Sequence, residues 1–230
     1  MNLYWQIHSA MLSTLYPYRF ELFLSTQLII LFGSVFINAQ WFELWVMPLF
    51  LLANLIAGIV LVYKRKRLIR LMFLLFALST VVLVLNFTDR ESYNTTNYLK
   101  FASYFLFYSI VTIEIIRQVW QSKVVQKNVI LGLISGYISL GLLSFFACLS
   151  IEILYPNSYS GLNASLEFSD QLMYYAYITL MTIGYGDILP VTPIAQKAAI
   201  LIGLIGQFYL VILTAIVVGK YINQESVINK

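Results

Sequence analysis

Six apolar stretches, each long enough to cross a bilayer, constrain this chain more than any other feature. They run from about Phe20 to Ile37, Trp41 to Tyr63, Leu71 to Phe87, Tyr98 to Ile116, Val129 to Tyr155 and Ile194 to Ile222. About 20 apolar residues in a helix span the hydrocarbon layer. Within lipid every backbone N–H and C=O needs a partner inside the protein, and continuous runs of this length meet that need as helices. The expected fold class is therefore an all-α membrane protein with six transmembrane helices. Composition agrees: 60% of the residues are hydrophobic and 10% charged, against about 25% charged in soluble domains. The single cysteine, Cys148, excludes an intrachain disulfide and reads as an inert core residue.

The charges give the spans a direction. With both termini cytoplasmic, Arg19, Lys64, Arg65, Lys66, Arg67, Arg70, Arg117, Lys123, Lys127, Lys220 and Lys230 lie inside, and only Arg90, Lys100 and Lys197 lie outside. Positive loops stay cytoplasmic, so this split sets the orientation. It also accounts for the net charge of +4 without invoking nucleic acid. Lys64, Arg65, Lys66, Arg67 and Arg70 form the densest basic cluster. Two readings of it are open: topology alone, or contact with anionic lipid headgroups. Residues 1–19 are too polar to span. Leu3, Ile7, Met11, Leu12 and Leu15 recur at helical spacing, with Trp5 and Tyr16 suited to an interface, so an amphipathic segment on the inner face is expected.

Between the fifth and sixth spans lies Thr179-Leu180-Met181-Thr182-Ile183-Gly184-Tyr185-Gly186-Asp187. A dehydrated cation needs a ring of oxygens in place of its water. Successive carbonyls of an ordinary strand alternate in direction and cannot form such a ring. Pointing them the same way requires alternating backbone handedness, and positive φ is cheap only for glycine. Gly184 and Gly186 sit two apart, as that alternation demands.

This string, placed between two long apolar segments, resembles the TVGYG-type signature loop of tetrameric potassium channels, whose carbonyl oxygens replace the ion's hydration shell. The resemblance covers about Val129 to Ile222 and is closest to prokaryotic-type six-transmembrane members. It implies a re-entrant pore helix from about Asp170 to Met181, capped by Ser169 or Asp170, and a selectivity-filter loop in a homotetramer. The implied potassium ligands are the carbonyls of Thr182, Ile183, Gly184 and Tyr185, with the Thr182 hydroxyl at the inner end. Ile183 and Tyr185 are expected to wedge the loop against its helix. Gly186, Asp187, Tyr174, Tyr175 and Glu152 are the implied filter supports. The two tyrosines stand where the family commonly has tryptophans, and either plain packing or a hydrogen-bonded cuff fits them. Ile178 stands where some members carry a glutamate that pairs with the filter aspartate. Glu152 resembles a glutamate that ties the outer helix to the pore loop. Gly206 matches the family's hinge glycine, and either bending or close helix packing would explain it. No cofactor beyond K+ ions is expected, no enzymatic activity, and a bacterial or archaeal plasma membrane is the expected location.

The front half matches the voltage-sensor plan in helix count only. Phe101 to Ile113 of the fourth span carries no charge, and Glu114 and Arg117 stand three apart, where a structural ion pair forms. The expected organisation is an interfacial segment at 1–19, a degenerate sensor-like domain at 20–120 and a pore domain at 121–230. Lys220 to Lys230 is too short to fold alone, so nucleotide or calcium gating from that stretch is not expected. The leading function is a weakly voltage-dependent potassium-selective channel. The alternatives are a potassium transporter subunit or a regulatory membrane sensor with a channel-like pore. A single filter in six spans argues against the transporter type with four repeats in one chain.

Overall fold

The computed structural model describes residues 13–38, 41–88, 93–163 and 165–228. Most of the expected 1–19 segment, residues 1–12, lies outside the described residues. The chain divides into two compact units, Met1–Thr96 and Asn97–Lys230. Among the described residues, four helices are long and apolar enough to cross a membrane: Leu44–Leu61, Lys66–Val84, Lys127–Leu154 and Pro193–Gln224.

In the first unit a short 3-10 turn at Tyr16–Tyr18 leads into helix α1, Arg19–Phe32. Fourteen residues rise about 21 Å, short of the roughly 30 Å hydrocarbon layer. The expected span to Ile37 instead tightens into a 3-10 turn at Gly33–Val35. Helix α2, Met47–Leu61, follows a π-helical turn at Phe42–Val46, and α3 covers Lys66–Thr88. The buried face of α1 is Phe20, Phe23, Gln27 and Ile30, at helical spacing. It packs on α2, where Asn54 Nδ2 donates to the Phe23 carbonyl at 3.3 Å and to Thr26 Oγ1 at 2.7 Å. Among apolar neighbours such a bond fixes helix register, because packing alone selects it weakly.

In the second unit lie α4 (Tyr93–Gln121, which starts just before the division), α5 (Lys127–Leu154), α6 (Phe168–Leu180) and α7 (Pro193–Phe208). A π-helical turn at Tyr209–Leu213 joins α7 to α8, Thr214–Ile228, without a break. Two-residue strands β1 (Tyr159–Ser160) and β2 (Leu189–Pro190) pair antiparallel. Pro193 starts α7 where a missing N–H costs nothing, and Thr192 caps it by accepting from the Ala195 N–H at 3.4 Å.

By contact, α4 groups with the pore segment. Tyr104, Phe107, Tyr108, Val111, Ile115 and Val119 form its buried stripe. Phe146 of α5 stacks on Tyr104 at 5.1 Å and Tyr108 at 5.6 Å, and Thr112 meets Ser139 at 2.8 Å. Phe105 is exposed on the single chain. Glu114 is buried, and its charge is met within the helix by Arg117 at 3.7 Å and by Gln118 Nε2 at 3.2 Å. The expected structural ion pair is present.

Candidate functional site, a pore loop

Helix α6 is short because its C-terminus turns straight into the loop. Its N-cap is Glu167, not Ser169 or Asp170: the helix starts two residues earlier than expected, and no side chain caps it. Asp170 lies in the first turn, where a carboxylate suits the helix dipole. Burial, with Glu167 nearby, lifts its pKa above the ordinary carboxyl value.

The loop N–H groups satisfy the last carbonyls of α6. Met181 N–H donates to Tyr177 O at 2.9 Å and Thr182 N–H to Thr179 O at 3.0 Å. Ile183 and Gly184 N–H both donate to Ile178 O, at 2.9 and 3.3 Å. So the residue in the family's glutamate position acts here through its backbone. Beyond that point the backbone alternates. Thr182, Gly184 and Gly186 have φ of 58°, 56° and 81°. The two glycines take the conformation expected of them. Thr182 extends the alternation by one step, and a β-branched residue adopts it only under constraint from its surroundings. That constraint is visible in the turn between Thr179 and Thr182.

Ile183 is 47% and Tyr185 72% exposed on the single chain. Their own chain thus covers these side chains only in part. Tyr174 is exposed, and the nearby Asp187 carboxylate raises its phenol above the ordinary pKa. Tyr175 is buried against Tyr159, ring centroids 5.0 Å apart. The two tyrosines therefore differ: Tyr174 is exposed near Asp187, and Tyr175 packs. Burial and the neighbouring Cys148 thiol raise the Tyr159 phenol well above its ordinary pKa.

Glu152 does not reach the pore loop. Its carboxylate accepts from the N–H groups of Asn157 and Ser158, both at 2.8 Å, and of Tyr159 at 3.2 Å. It thereby fixes the turn after α5 whose strand β1 pairs with β2, just past the filter. Val191 N–H donates to Ser158 O at 2.8 Å, and Thr192 Oγ1 donates to Ser158 Oγ at 2.9 Å. At Gly161, φ 87°, a side chain would collide with the Asp187 carbonyl. Glu152 thus holds the segment after α5, and that segment pairs with the one that follows Asp187.

Gly206 is a packing residue. A Cβ there would run into the backbone carbonyl of Leu180. That carbonyl closes α6, and Tyr137 Oη donates to it at 3.4 Å. The irregular part of the inner helix lies one step further on, at Tyr209–Leu213.

Two tyrosines absent from the sequence reading complete the framework. Tyr177 Oη donates to Ile138 O at 2.7 Å, and Tyr209 Oη donates to Leu133 O at 2.7 Å. Each acceptor is a carbonyl inside α5, and each has a glycine three residues later: Gly141 beneath the Tyr177 ring and Gly136 beneath the Tyr209 hydroxyl. Side chains lean toward a helix N-terminus, so the residue one turn on shields a carbonyl. Glycine removes that shield. The signal available in sequence was glycines at 136 and 141 in an apolar run.

An outer helix, a short helix ending in a non-helical loop, and a long inner helix define a pore-loop module. Residues 133–223 match the family model described as ion channel, somewhat under half of the chain. The match supports an ion-channel domain in this region, and with the apolar helices it supports an integral membrane protein. Searches of curated proteins and of solved structures found no match.

Proposed function

We propose that four copies of this chain form a potassium-selective channel. The carbonyls of Thr182, Ile183, Gly184 and Tyr185 are its ion ligands, with the Thr182 hydroxyl at the inner end. The observation that carries the reading is the run of positive φ at Thr182, Gly184 and Gly186. Left-handed residues at every second position turn the carbonyls toward one side, the arrangement a dehydrated cation needs. The C-terminus of α6 points its partial negative charge toward the same region, which favours a cation there.

Four copies follow from having one loop per chain and from its exposure. Irregular backbone at membrane depth is tolerated only where protein or a water-filled cavity covers it. Exposed Ile183 and Tyr185 are the surfaces that neighbouring copies would cover. The front half acts as a scaffold: the charge-free stripe of α4 packs on α5 through aromatic rings.

Reversal potentials across a bilayer holding the purified protein, with potassium on one side and sodium on the other, test this. A reversal displaced far from zero toward the potassium equilibrium is expected. A reversal near zero would sink the reading.

A further inference from the structure

The most concentrated charge in the chain lies outside the pore module, and the fold adds to it. Lys64 and Arg65 lie in the turn between α2 and α3, and Lys66 and Arg67 open α3. Arg19, 45 positions earlier, comes to the same place. Its guanidinium carbon lies 4.1 Å from the centroid of the Tyr16 ring, and Lys64 Nζ lies 4.7 Å from that same centroid. Tyr63 is beside it, ring centroids 6.1 Å apart. Arg19 Nη1 also donates to the Tyr16 carbonyl at 3.0 Å, which fixes the arginine head.

Two cations sharing one ring are at most about 9 Å apart, and the ring's electron-rich face attracts each of them. Their mutual repulsion is unfavourable unless an anion sits between them. Glu21 is one acidic group that acts on Arg19. Against it stand Arg19, Lys64, Arg65, Lys66, Arg67 and Arg70. The first turn of α3 adds backbone N–H groups that the helix leaves unpaired and the positive end of its dipole. A phosphate accepts charge-assisted bonds of about 2.8 Å on several oxygens at once, so it can bridge two such cations. Tyr16, Tyr18 and Tyr63 are the residue type found at the headgroup level of a bilayer.

We infer that Arg19 and Lys64, gathered on the Tyr16 ring, bind the phosphate of an anionic phospholipid at the cytoplasmic membrane surface. The site lies wholly within the first unit and does not depend on the pore reading. A free phosphate compound shares the chemistry, and the source can be separated by experiment.

The test is native mass spectrometry of the delipidated full-length protein, titrated with phosphatidylglycerol or phosphatidylcholine. Phosphatidylglycerol is expected to bind at least about tenfold more tightly, given two basic side chains at the surface. Arg19→Gln with Lys64→Gln is expected to abolish that preference. Lys123→Gln with Lys127→Gln removes the same charge from the same expected side and is expected to keep it. Equal binding of the two lipids by the unmodified protein overturns the proposal, as does equal loss in both double variants. Should the first variant fail to fold, the unmodified protein still decides: release of phosphatidylglycerol by inorganic phosphate at millimolar concentration would reassign the site to a soluble phosphate.

Discussion

The Tyr209 hydroxyl stands where a Cβ on residue 136 would be, inside the 3.0 Å that real side chains keep clear. The inner helix is thus hydrogen-bonded to the outer helix through a space that only glycine leaves open. Gly136→Ala is expected to expel the tyrosine, break its bond to Leu133 O and destabilise the protein by about 1–3 kcal/mol, the usual cost of overpacking. Gly219 has no atom within 4 Å of its ideal Cβ. Gly219→Ala is therefore expected to be neutral or to stabilise by up to about 1 kcal/mol. Thermal melts of the two variants compare them. Equal melting temperatures would remove the notch from the account.

A second contrast separates crowding from backbone strain. Gly206→Ala places a methyl group against the Leu180 carbonyl, which is backbone and cannot swing aside. Loss of assembled protein is expected, not merely a change in opening. Gly184 has open space around it but a φ of 56°. Gly184→Ala is expected to assemble and to lose ion preference, since an L-residue in the left-handed region costs about 1–2 kcal/mol. Size-exclusion profiles set beside ion flux distinguish the two. A well-assembled Gly206→Ala protein with altered opening would restore the hinge reading.

Asp187 lies close enough to Tyr174 to raise its phenol above the ordinary pKa. Tyr174→Phe keeps the ring and deletes that one interaction. Potassium current is expected to decay faster during sustained opening, with ion preference retained at first. The Tyr175→Phe variant removes a hydroxyl that is buried without a partner and is expected to leave the current unchanged. Identical decay in both variants would show that Asp187 does not use the tyrosine.

Voltage dependence is expected to be shallow. Moving one charge through the field yields about 2.3 kcal/mol per 100 mV, and working sensors move about three to four charges in each of four subunits. Phe101 to Ile113 has none. Lys100 crossing fully in four copies would supply only about 9 kcal/mol per 100 mV. A conductance–voltage curve in symmetrical potassium measures this. A slope equivalent to ten or more gating charges would mean that α4 has been misjudged.

How far the sequence could be read follows from the range of each interaction. Gly184 and Gly186 announce their conformation because positive φ is a property of the residue itself. The left-handed Thr182 was hidden, since it arises from the tight turn that returns Ile183 and Gly184 N–H to Ile178 O. The pair Glu114 and Arg117 was visible because helical spacing alone brings it together. Gly206 was ambiguous: bending and packing both favour glycine, and only the position of Leu180 O decides between them. The start of α6 is not marked by a capping side chain, since Glu167 begins the helix without using one, so Ser169 and Asp170 mislead. The convergence of Arg19 and Lys64 joins two segments and left no local trace.

The two carbonyl notches of α5 also bear on how the chain tolerates insertion. Gly136 and Gly141 are five residues apart, and each residue turns a helix by about 100°, so the notches face different directions and serve different tyrosines. A single residue added between them would rotate one notch away from its tyrosine while leaving the other in place. Substitutions that keep the helix apolar should be widely accepted along this stretch, whereas one-residue insertions or deletions between 136 and 141 should not. The outer helix thus behaves as a ruler whose five-residue interval sets where the pore helix and the inner helix attach.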